Sequence, residues 1–370
     1  MKFKNVIAIV LSLVLVMGLV IGCGTSGGGS TSTGTTKPVT TTKPADKSFE
    51  EMVIKVATVS PEAQTRDGTY ATASILTFRD YLAEKTDYIK PETYFAGQLG
   101  GAAEVVQYQI DGTVEINFAN PSSCTTYSPS LAVITLPGAF STMDECRSVL
   151  RSDWGDDLWE LAVKESGNGV ADKGIRFMNI IPFGFRNFTN TKQKITNVDS
   201  MKGLTFRTME NTMSITMVDS LGAHAVPIAS SEQYMAIQQG VVDGNEGAIT
   251  SLIQDLVYEV LKYVVLDGHF LGHDGYIVSE QWWSGLPAET QEVIKAGIDV
   301  ASEEGDRVVD RLLAEGEVFL ADFLEIYTPT DSELAEWNEA CRAGTEQWMR
   351  GEVGDELVES MLAAIQDYRK

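Results

Sequence analysis

Residues 204–245 read LTFRTMENTMSITMVDSLGAHAVPIASSEQYMAIQQGVVDGN. A short apolar run ends at Arg207, residues 212–221 have helical spacing, 225–228 form a second short run, 231–239 a second helix, and 241–245 a third strand. Short strands alternating with helices describe an α/β unit in which crossover helices cover a mainly parallel sheet on both faces. Working backwards, the same rhythm fills the first half of the chain. Residues 53–59, 89–95, 114–118 and 132–136 read as strands, and 70–85 and 102–110 as helices. A further strand segment, GIRFMNIIPF, begins near Ile175. Two such series predict two lobes. Working forwards, residues 287–324 are helical almost without a break, and ~38 residues at 1.5 Å each make a helix of ~57 Å, long enough to run across both.

The N-terminus is of another kind. Lys2 and Lys4 precede an apolar stretch over residues 6–21, and Cys23 follows Val20-Ile21-Gly22. This is the pattern of a secretory signal over residues 1–22. Cys23 is similar to the lipobox cysteine of bacterial lipoproteins, a resemblance that implies acyl chains on Cys23 and an anchor on the outer face of the cell membrane. Residues 23–47 carry Gly, Ser, Thr and a repeated TTKP, a composition that suits a tether between membrane and folded domain. With no other apolar run near 18 residues, the remainder is expected to be soluble.

Charge narrows the function. The chain has 52 acidic and 28 basic residues, and beyond residue 47 there remain 51 and 23. A surface so acidic is a poor partner for nucleic acid, whose phosphates call for basic patches. An anionic ligand would have to be captured by a few local cations. Three histidines, with no HExxH, GxSxG or GxxxxGK[ST] pattern, nominate no metal ligand, cofactor or catalytic residue, while the abundant acids leave a glycosidase-type carboxylate pair open without naming one. GHFLGH spaces two of them at i,i+4, but the glycine inside and YIVSE after it speak against a helix. Cys124, Cys146 and Cys341 allow one disulfide at most.

Residues 183–211, FGFRNFTNTKQKITNVDSMKGLTFRTMEN, and 221–247, LGAHAVPIASSEQYMAIQQGVVDGNEG, resemble the substrate-binding subunit of tripartite ATP-independent periplasmic (TRAP) transporters, in its dicarboxylate-binding-like family. IKVATVSPE, GQLGGAAEVVQ, LPGAFSTMDECRSVL, DGH and EQWWSGLP extend the likeness, in family order, over about residues 52–350. The resemblance implies a two-lobed periplasmic-binding-protein-like fold with the ligand cleft between lobes. Its lobes would be residues 48–182 with 273–312 and 183–272 with 313–350, followed by a helical tail over 351–370. It further implies a non-enzymatic role: capture of an organic acid and delivery to ion-gradient-driven permease subunits in the membrane. A ligand sensor for a receptor kinase and a secreted hydrolase are the alternatives.

By the same resemblance Arg207, ending the KGLxxR strand, binds a carboxylate, for which its planar guanidinium offers two parallel donors. Arg186 in FRNFTN is a second cleft arginine, serving either ligand contact or interlobe support. A helix starting at Ser230-Ser231 would turn backbone N–H groups toward an anion, or be capped by those serines. Gly247 stands where carboxylate-binding members carry the Asn of QEN, and Ser230 where many carry an aromatic, so smaller groups replace larger ones. Glu210, three residues beyond Arg207, is a candidate for a ligand hydroxyl or cationic nitrogen. Gln64 and Arg66, in place of the family's His-containing loop, and Asn120 and Ser122, after a strand end, are candidates on the first lobe's side.

Overall fold

Thr69 starts the first helix by accepting a hydrogen bond from the backbone N–H of Thr72 on its side-chain oxygen, and the helix runs over Tyr70–Lys85 with Ala71, Ile75, Phe78 and Leu82 inward. In the computed structural model, which describes residues 50–370, it is α1. The signal segment, Cys23 and the tether lie outside the described residues. The other elements, in chain order, are β1 (Met52–Ala57), β2 (Ile89–Tyr94), α2 (Ala102–Ile110), β3 (Ile116–Ala119), α3 (Met143–Leu150), α4 (Asp153–Ser166) and β4 (Ile175–Asn190). Next come β5 (Thr205–Thr208), α5 (Thr212–Ser220), β6 (His224–Pro227), α6 (Gln233–Gln238), β7 (Gly244–Ala248), α7 (Ile249–Gln254) and β8 (Tyr263–Ser279). The chain ends in α8 (Glu280–Ser284), α9 (Ala288–Leu320), β9 (Glu325–Tyr327), α10 (Asp331–Val353) and α11 (Asp355–Tyr368).

Among the described residues all nine strands join one sheet in the order β2-β1-β3-β8-β4-β7-β5-β6, with β9 beside β8. The expected parallel pairing holds on its flanks, where β1 pairs β2 and β3, and β5 pairs β6 and β7. It fails at the centre. There β4 and β8, of 16 and 17 residues, run antiparallel to each other, and β3 and β7 pair antiparallel with them. Both long strands are buried at most positions and on both faces, so neither keeps along its length the alternation that marks an antiparallel strand with one wet face. Their register slips at three places, between Phe177 and Asn179, Pro182 and Gly184, and Arg186 and Phe188, the middle one opposite His273 and Gly272. Gly184 has φ +127, and a Cβ on Gly272 would lie 2.3 Å from the Phe183 ring. The bulge therefore needs glycine on both strands.

Residues 132–136, expected as a strand, lie mostly in a 3₁₀ turn over Pro129–Thr135. Pro129 presets the first turn, and Leu131 to Ile134 are buried by packing on all sides without pairing to a strand. α9 rises ~50 Å over its 33 residues. Small residues let it lie close to what it crosses: a Cβ on Gly305 would come within 2.6 Å of Ile181, and one on Gly316 within 2.4 Å of Ile249. Arg147 of α3 and Arg151, just after it, clamp it through Asp306, at 3.2 and 2.8 Å. The helical tail is present as the end of α10 and α11, which buries Val358, Met361 and Ile365. Cys124, Cys146 and Cys341 are buried free thiols. Among the described residues no helix is long and apolar enough to cross a membrane.

Candidate functional site

β5 lies between β6 and β7 and parallel to both, with Arg207 opposite Val226 and Asn245. In α/β sheets, ligands gather at the carboxyl ends of such strands. Arg207 is 5% exposed. Its Nε donates to the carbonyl of Ile228 at 2.8 Å, and neither Nη nitrogen has a hydrogen bond among the described residues. Burial pulls its pKa down to about 10, with Glu246 opposing the shift and Arg186 adding to it. At neutral pH it is a charged fork that faces a cleft it shares with Arg186, Glu210, Ser230, Asn120 and Ser122.

Arg186 is differently placed. It is buried on β4, and its Nε and Nη2 grip the Glu246 carboxylate, with Nη2 also donating to the Glu246 carbonyl at 2.7 Å. The guanidinium lies 5.5 Å from the centre of the Phe270 ring. Burial alone would raise the Glu246 pKa; the charges of Arg186 and His269 and the bonds from Arg186 overcome it and hold it at about 2. His269 lies with Nε2 3.5 Å from Glu246 and Nδ1 2.6 Å from Asp267. Burial would lower its pKa, but the Asp267 charge outweighs this and raises it. His273, without a charged partner, is pushed down to about 4 by burial and is neutral. Among the described residues no group of histidines, cysteines and acids is arranged to hold a metal.

Two acids complete the cleft. Asp255, following α7, accepts from Gln233 Nε2 at 2.6 Å, with Ser230 Oγ at 3.5 Å. Asp274, on β8, accepts from the Tyr70 hydroxyl at 2.8 Å. Burial raises both to about 6, against the pull of Arg207 on the first and of Tyr70 and Arg186 on the second.

Sequence comparison matches residues 62–351 to the model of the bacterial extracellular solute-binding proteins, family 7. The chain belongs to that family. A C4-dicarboxylate-binding protein of Bacillus subtilis is 24% identical to this solute-binding protein over 265 residues, covering 70% of it and 73% of the relative. A sialic acid-binding periplasmic protein of Vibrio cholerae is 22% identical over 284 residues, covering 73% and 85%. Among solved structures, a TRAP periplasmic solute-binding protein of Shewanella oneidensis with bound succinate superposes with a TM-score of 0.77 at 21% identity, over 85% of this chain and 99% of that one. A sugar acid-binding protein of Advenella mimigardefordensis with galactonate gives 0.79 at 21%, over 86% and 99%. The resemblance to TRAP substrate-binding subunits is thus established, and with it the two-lobed α/β fold.

Three expected contact residues of this solute-binding protein are placed elsewhere. Gly247 is buried in β7 where a Cβ would face Ser251 and Leu252, so it lines no part of the cleft. Arg66 turns away to the exposed face of α1, where Asp80 and Thr77 accept its hydrogen bonds. Gln64 lines an adjoining groove that shares Ser230, Gln254 and Asp255 with the cleft. The segment from Ser230 is a 3₁₀ turn, Ser230–Glu232, leading into a six-residue α6, and neither serine caps it. Tyr70, Glu246, Asp255 and Asp274 went unnamed in the sequence. Two of the four stand beside residues that were named, Glu246 in VDGNEGA and Asp274 after the second histidine of GHFLGH, but acids are too common in this chain for type alone to single them out.

Proposed function

We propose that this protein captures an organic acid in the cleft, binds its carboxylate with Arg207, and hands it to the membrane permease subunits of a TRAP transporter. The observation that carries the reading is the buried Arg207 fork, both of whose Nη nitrogens lack a hydrogen bond among the described residues. Arg186 supports the site by holding β4 to β7 through Glu246. Residues 48–182 with 273–312 and 183–272 with 313–350 form the closing lobes; in support, the boundaries after 182 and 272 fall at the middle one of the three slips in the β4–β8 pairing. Ligand contacts from both lobes exist together only in the closed state, so binding closes the cleft. No bond is broken in this cycle. In calorimetric titrations against a panel of carboxylates and matched neutral alcohols, only carboxylates should bind, and small-angle scattering should show a smaller radius of gyration at saturation. Binding of the alcohols with equal affinity would remove the reading.

The attachment proposed is lipid on Cys23, supported by the basic and apolar residues before it. A Cys23→Ala chain should lose membrane attachment by its acyl group and appear in the soluble or signal-retaining fraction. Mass spectrometry of the wild-type N-terminal peptide without acyl chains would count against it.

A further inference from the structure

The charges of the cleft do not suit a ligand that is only an anion. Arg186 is neutralised by Glu246, which leaves Arg207, among the described residues, as the one cation facing Asp255, Asp274 and, at the rim, Glu210. Asp274 is 8% exposed and anchored by Tyr70 through one oxygen, while its other oxygen has no hydrogen bond among the described residues. The two aspartates line the same cleft. A dicarboxylate here would bring its second charge against them, and like charges out of water repel strongly. The wall beside them is aromatic: Tyr70 stacks on Phe183 at 5.4 Å, and Phe118 lies 6.5 Å from Tyr70. Aromatic faces next to carboxylates suit a cation. Among the described residues, the unpaired Arg207 fork, 5% exposed, and the unpartnered Ser122 hydroxyl, 4% exposed, show that the same cavity is built for a polar ligand.

We infer that the ligand is a zwitterion, its carboxylate on Arg207 and a cationic nitrogen against Asp274 and Asp255. The inference rests on the organic-acid reading and narrows it. The charged and titratable groups facing the aspartate pair are Tyr70 from α1, Arg186 from β4 and Arg207 from β5, with Glu246 behind Arg186. Both aspartates have raised pKa values of about 6, so they are ionised at pH 7.5 and take up protons as the pH falls to 5.5.

The probes are ω-amino carboxylates from glycine to 6-aminohexanoate, each paired with the carboxylate that carries a methyl group in place of its ammonium. At pH 7.5 at least one amino acid should bind tenfold or more tightly than its methyl partner. Between pH 7.5 and 5.5 that amino acid should lose about tenfold in affinity as two groups near pKa 6 are protonated together, whereas the methyl partner should not weaken comparably. Asp274→Asn, which keeps an acceptor for Tyr70, should shrink the ratio between the pair, and Asp255→Asn should do the same if the first variant folds poorly. Methyl carboxylates that bind as tightly as every amino acid, through Arg207, would overturn the inference and leave the organic-acid reading standing. If neither series binds at millimolar concentration, both fall.

Discussion

Replacing Arg207 with alanine is expected to nearly abolish ligand binding while leaving the ligand-free protein as stable as wild type. A carboxylate drawn into the closed cleft loses its water, and the two Nη donors are what compensates it. Removing one partner of such a buried pair costs ~3–5 kcal/mol, since the other charge is left alone, which is roughly two to four decades in affinity. The ligand-free protein gives up little, because Arg207 makes one hydrogen bond among the described residues, to the Ile228 carbonyl, and burial already disfavours its charge. Arg207→Lys should restore part of the affinity, since the charge returns without the fork. Calorimetric titration of both variants decides the matter: near-wild-type affinity in the alanine variant would make Arg207 a bystander and remove the main argument for a carboxylate.

Glu246→Ala is expected to act on the fold itself. It leaves Arg186, 4% exposed, without its counter-ion and removes the acid beside His269 Nε2. An uncompensated buried charge typically costs ~3–5 kcal/mol, a large share of the ~5–15 kcal/mol that holds a domain together. Urea unfolding at pH 7.5 should therefore show a much lower midpoint, and a shift of only a few tenths of a kcal/mol would mean that water reaches Arg186. The pH dependence follows from direction. Glu246 has a folded pKa of about 2, below its ordinary value near 4.5, so its contribution is present above that ordinary value and is lost as the pH falls through about 2. His269 is shifted upward, so its contribution is present below 6.5 and is lost as the pH rises through its folded value. The aspartates Asp255 and Asp274, also shifted upward, contribute most below 3.8 and lose that contribution as the pH rises through about 6. The alanine variant should thus lose the acid-side dependence that Glu246 supplies and retain that of the aspartates.

What the sequence determined by itself was local. α1 and α2 begin and end where apolar spacing and flanking residues put them, β2 ends one residue early, β6 is displaced by one residue, and the long helix α9 is four residues shorter at its C-terminal end than its pattern suggested. Hydrophobic period, caps and glycines act over a few residues, and a few residues are enough to read them. Arg207 was legible too, because its place at a strand end belongs to a recurring motif. What tertiary structure decided was long in range. The antiparallel centre of the sheet depends on β8 returning beside β4 some 80 residues on, and burial on both faces erases the alternation that would have announced it. The apolar run in Pro129–Thr135 has the composition of a strand, but the core packs it without a sheet partner. Arg66 and Arg207 are the same residue type near short elements, and only folding sends one to Asp80 on the surface and the other into the cleft. The acids that set the cleft's charge come from Asp255 and Asp274, and Tyr70 meets Asp274 across 204 positions of sequence. A chain with 52 acids holds no local mark of which two will be buried together, because burial, which raises their pKa values and makes them selective, is a property of the assembled fold.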